Sequence, residues 1–146
     1  MAKDQGWAKA DQRWLPMALL IAIVYPAVGI AFAELDHLSA SAPVRIWRLA
    51  AWLVSAVAFG SHLAYEQFRL RTPPLRAAFH VSLAVAIGAF ALAVWVNLRV
   101  RWLGSSQQSP LAPWALVLFP LVTGVPAFLV SFATVAILDR VRPSRA

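Results

Sequence analysis

Cysteine is absent from this 146-residue chain, and charge is scarce. Without cysteine there are no disulfides, no thiolate nucleophile and no cysteine-ligated metal. Six acidic residues stand against thirteen lysines and arginines, and no paired carboxylates for acid–base catalysis fall within the apolar runs. No serine, histidine and carboxylate fall at a spacing that assigns nucleophile, base and orienter. The sequence therefore offers no catalytic constellation and no metal-ligand set. Charged residues make up only 13% of the chain and hydrophobic residues 61%, a balance foreign to a soluble globular domain.

What the chain does have is four long apolar runs, at residues 15–33, 46–68, 77–98 and 114–138. A hydrocarbon layer about 30 Å thick is crossed by about 20 apolar residues of helix, and each run reaches that length. Only helices and closed barrels satisfy every backbone polar group in lipid. Barrel strands alternate between inward and outward residues, and the stretch from Ser82 to Val94 shows no such alternation. The sequence thus predicts an all-α integral membrane protein. Its single domain over 1–146 is a four-helix transmembrane bundle with antiparallel neighbouring helices.

The net charge of +7 is spread over the ends of the apolar runs rather than gathered on a soluble module, so nucleic acid is not an expected partner. Basic residues are retained on the cytoplasmic side during insertion. Placing the N-terminus inside puts Lys3, Lys9, Arg13, Arg69, Arg71, Arg76, Arg140, Arg142 and Arg145 there, against Arg45, Arg48, Arg99 and Arg101 outside. That asymmetry predicts both termini in the cytoplasm of a bacterial-type inner membrane. It also predicts contact between the cytoplasmic face and anionic lipid headgroups. The first run ends in Ala31-Phe32-Ala33, a signal-peptidase pattern, but it is longer than a signal-peptide core and so reads as a span. Before it, Trp7 and Trp14 would share one face of a helix lying in the headgroup region.

Small residues recur every four positions at Ala56, Gly60 and Ala64 in the second span, and at Ala84 and Gly88 in the third. Such stripes let helices approach closely. The joint Arg69–Arg76 is short and proline-broken, so spans two and three are expected to pack as a tight antiparallel hairpin. Pro26 should kink span one, and Pro120, Gly124 and Pro126 should bend the outer half of span four. Glu34 to Pro43 and Arg99 to Pro113 read as external joints, with Asp36 and His37 in the first of them exposed rather than metal-binding.

Apart from Tyr25 and the interfacial Arg48, the ionisable residues inside the spans are His62, Tyr65, Glu66 and His80, with Arg69 just beyond. His62 and Glu66 are four apart and Arg69 follows by three, so the three should form a stripe on one helix. His62 and His80 lie nine residues on either side of Arg71 and so at similar depth. An ionisable group there is a functional candidate by default.

Three roles follow. The first is a structural, accessory-subunit or lipid-interacting role, with a larger membrane complex or a homo-oligomer as possible partners and no cofactor. The second is an oligomeric small transporter or channel using His62, Glu66 and His80 as a proton or cation site. The third is a b-type haem-binding electron-transfer subunit with His62 and His80 as axial ligands.

Overall fold

The computed structural model describes residues 13–38, 44–102 and 112–141. The segment carrying Trp7, the joint residues 39–43 and 103–111, and Arg142 and Arg145 lie outside them, as do the side chains of Asp36, His37 and Arg45. Four α-helices follow in order: α1 (Leu15–Leu38), α2 (Val44–Ala64), α3 (Pro74–Trp102) and α4 (Ala112–Val141). A six-residue π-helix, Tyr65–Leu70, continues α2 to the joint. All four are long and apolar enough to cross a membrane, and the fold is the expected all-α transmembrane bundle.

The helices overrun the apolar stretches that announced them. α1 carries on through Glu34 to Leu38, and α3 starts at Pro74 and runs past Arg99 and Arg101. The joints are correspondingly shorter than expected. The reason is visible at that end of the bundle, where the Arg99 guanidinium pairs with Glu34 across α1 and α3 and sits 5.0 Å from the Trp95 ring centroid. Charges that find a partner and an aromatic face at the interface do not end a helix. At the opposite end Pro74 opens α3, where its missing N–H removes nothing that an intrahelical bond would use.

α3 is the central helix, packed along α4 on one side and α1 on the other, while α2 leans mainly on α1. The tight pairing of α2 with α3 does not form along the membrane. Ala56, Gly60 and Ala64 face outward, and nothing approaches within 4 Å of where a Gly60 side chain would start. The small residues of α3 are taken by α1 instead. Ala84 packs with Ala18 and Ile21. At Gly88 an added Cβ would lie 2.8 Å from Tyr25 Cβ and 3.2 Å from the Ala22 carbonyl oxygen. That carbonyl has lost its helical donor to Pro26, four residues on. α1 thus approaches α3 closely at Gly88, and α2 joins the Ala84 cluster through Ala58, which lies outside the expected stripe. An apolar cavity of about 320 Å³, bordered by Trp52 and Ser55 of α2 and by Val85 and Gly88 of α3, lies where the hairpin was expected to close.

Helix α4 runs unbroken through Pro120, Gly124 and Pro126. The Thr123 hydroxyl donates to the carbonyls of Phe119 and Pro120 at 2.8 and 3.3 Å, which supports the backbone beside the proline. Gly124 lets α4 approach Ala86 of α3, with 3.2 Å from a built Cβ to the alanine methyl. Neighbouring helices and local hydroxyls re-satisfy a proline-interrupted span in this way.

Candidate functional site

α2 and α3 do come together at the hairpin end, through polar contacts. Leu63, Ala77, Val81 and Val135 form a buried cluster there, bringing α4 in as well. Beside it Glu66 is fully buried. Its Oε1 accepts from His80 Nδ1 at 3.1 Å and its Oε2 accepts from the Thr72 hydroxyl at 2.6 Å. His62 Nε2 stands 3.9 Å from the same Oε1. His62 is itself fully buried, and neither ring nitrogen is hydrogen-bonded within the described residues. Both histidines therefore turn to one carboxylate, from two helices.

The local backbone explains the placement. A π-turn widens the helix by one residue per turn and is frequent at functional positions. Here it spans Tyr65 to Leu70 and ends at Arg71, which adopts the left-handed conformation with φ 53° and ψ 41°. The Glu66 carbonyl accepts from the N–H groups of both Arg71 and Thr72. Glu66 thus anchors the joint with its main chain and its carboxylate together. The widened turn also changes what its neighbours do. Arg69, expected over Glu66, is exposed and makes no ion pair with it, and Tyr65 is only partly buried and lies apart from the cluster.

Several participants escaped the sequence reading. The Trp14 ring stacks on His80 with centroids 4.1 Å apart and planes within 5°. Gln67 Nε2 donates to Asp139 Oδ1 at 2.7 Å, tying the π-turn to α4. Trp14 and His80 each begin a span at the same membrane face, which was the available signal for their meeting. Asp139 lies one residue beyond the predicted fourth span, and Thr72 sits in a joint read only as a turn.

Above the cluster lies a cavity of about 350 Å³, walled by Arg13, Arg69, Arg71 and Arg76 together with Thr72 and His80. No described carboxylate pairs with these four arginines: Glu34 is with Arg99, Glu66 with His80 and Thr72, and Asp139 with Gln67. Four guanidiniums without a described carboxylate partner thus surround one concavity, and each carries forked N–H donors suited to phosphate and carboxylate.

The same geometry bears on the metal and haem readings. Among the described residues no group of three or more His, Cys, Asp or Glu side chains is placed to hold a metal ion. Axial haem ligation needs two imidazoles facing each other across a macrocycle. Here the His62 ring is wholly enclosed and the His80 ring is covered by Trp14, with both directed at Glu66.

No known family model matches the chain. No curated protein and no solved structure matches it either.

Proposed function

We propose that this small membrane protein has a lipid-interacting role, holding an acidic headgroup in the arginine-walled cavity at the cytoplasmic end of the bundle. The observation that carries this reading is the set of four guanidiniums without a described carboxylate partner around one 350 Å³ concavity. Basic side chains at a membrane surface attract acidic lipid by about 1 kcal/mol each. The cavity lies at the hairpin end, where the charge asymmetry of the sequence places the cytoplasm.

A transmembrane proton or cation path has less to support it. Beyond the Glu66 cluster, the hydroxyls of Ser82, Thr123 and Thr134 turn back onto carbonyls of their own helices at 3.0, 2.8 and 2.8 Å. Their donors are thereby spent within their own helices, which leaves the buried Ser131 hydroxyl as a span hydroxyl without a described partner.

Arg71 gives a clean test. An L-residue in the left-handed conformation costs about 1 kcal/mol that glycine avoids. Arg71→Gly should therefore raise the melting temperature of the detergent-solubilised protein by a few degrees. Combined with Arg76→Gln, it should weaken retention of acidic lipid by roughly 30-fold, the loss of two basic residues at about 1 kcal/mol each. Native mass spectrometry of protein released from mixed bilayers reads the bound lipid directly. Equal retention of acidic and zwitterionic lipid by the parent protein would overturn the assignment.

A further inference from the structure

Resting on that reading, we propose that the cavity selects a phosphomonoester, a terminal phosphate carried on a single ester arm, and that His80 is one of its direct ligands with Glu66 as the positioning residue behind it. Arginines alone do not distinguish one anionic headgroup from another. The inner wall does.

The charged groups on the cavity side of His80 are all basic. Arg13 and Trp14 reach it from the head of α1, Arg69 from the π-turn, Arg71 and Thr72 from the joint and Arg76 from its own helix. Glu66 lies behind the ring, with His62 of α2 on the carboxylate's other side. α4 contributes nothing to the cavity wall, and its Asp139 carboxylate is held by Gln67. Both Glu66 oxygens are occupied, by Thr72 and by His80 Nδ1. The carboxylate therefore does not compete for a ligand. With Nδ1 engaged and the ring face covered by Trp14, Nε2 is the nitrogen left to meet a ligand. It accepts in the neutral ring and donates in the protonated one.

A phosphodiester brings two terminal oxygens and one negative charge between two ester arms. A phosphomonoester brings three terminal oxygens and close to two charges, and it can enter a cavity end-on with its one arm pointing out. Four guanidiniums and an imidazole nitrogen are better matched by the second. Phosphomonoesters gain their second charge near about pH 6, so their attraction to the cavity falls as pH drops below that value. A diester has no second ionisation and should show no such acid fall.

The test uses the full chain in nanodiscs of phosphatidylcholine containing a small fraction of phosphatidic acid (monoester) or phosphatidylglycerol (diester), with bound lipid read by native mass spectrometry between pH 5 and 8.5. The expected result is about tenfold preference for phosphatidic acid near neutral pH, one further charge-assisted contact's worth, lost as the monoester gives up its second charge at low pH. His80→Gln should reduce the preference. Arg76→Gln, at an exposed position, should weaken both lipids and leave the acid fall intact. Glycerol 3-phosphate added as a soluble competitor separates the sources: displacement of phosphatidic acid at equal concentration assigns the site to soluble monoesters, and no displacement assigns it to the lipid. Equal retention of the two acidic lipids, both above phosphatidylcholine, would sink the monoester inference alone. Retention of neither would sink the headgroup reading with it.

Discussion

Replacing Glu66 by alanine should cost about 3–5 kcal/mol, the range for removing one member of a buried, hydrogen-bonded charged cluster. Three effects combine. Thr72 Oγ1 loses its acceptor at 2.6 Å, His80 Nδ1 loses its acceptor at 3.1 Å, and a fully buried side chain is replaced by a smaller one. Unsatisfied buried groups cost about 1–3 kcal/mol each. The joint between α2 and α3 is held by that carboxylate, so the loss should appear as lowered unfolding midpoint in mixed micelles. Release of the Trp14 ring from His80 should appear at the same time as a change in tryptophan emission. Glu66→Gln keeps an acceptor for Thr72 and should cost about 1 kcal/mol. His62→Leu should go the other way. It exchanges a buried ring with no hydrogen bond among the described residues for an apolar group, and such exchanges are neutral or stabilising. A Glu66→Ala protein with an unchanged midpoint would show that the carboxylate does not hold the hairpin.

The second large effect separates two glycines that look alike in the sequence. Gly88→Leu should destabilise the bundle by about 1–3 kcal/mol, the usual cost of overpacking, or prevent α1 from seating at all. Its first carbon alone would meet Tyr25 Cβ at 2.8 Å and Pro26 Cδ at 3.4 Å. Neither atom is the free end of a flexible side chain, and Pro26 stiffens the backbone behind them. Gly60→Leu should change stability by no more than about 0.5 kcal/mol, as for a surface position, because open space surrounds it. Thermal melts of the two variants in one detergent decide the matter. Equal destabilisation would mean that the α2 stripe is a packed surface after all.

These two results also mark where the sequence was readable. Span number and type were legible because hydrocarbon forces each crossing to carry its own apolar run. The convergence of His62, Glu66 and His80 was legible for a related reason: an antiparallel hairpin returns the chain to the same depth, and charged or titratable groups stand out against an apolar background. Partner choice among helices was not legible. Small-residue stripes on α2 and α3 are equally good surfaces, and the choice of α1 for Gly88 depends on Tyr25 and Pro26, whose shapes matter only once the helices are in place. Helix ends were missed where Glu34 and Arg99 pair, since counting apolar residues stops at the first charge. The arginines of the cavity were read as topology signals because their one-dimensional spacing shows that they share a membrane face and not that they share a concavity.

The π-turn at Tyr65–Leu70 has a consequence for how the chain can vary in length. A π-turn is an α-helix that has accommodated one inserted residue. Deleting a single residue between Leu63 and Glu66 would let the segment relax into regular α-helix with its backbone bonds intact. Beyond the turn the register would be kept, but Glu66 would take the position after α2 that Tyr65 now holds, about 100° round the helix and off the side shared with His80. Local helix geometry would improve and the carboxylate would leave the site.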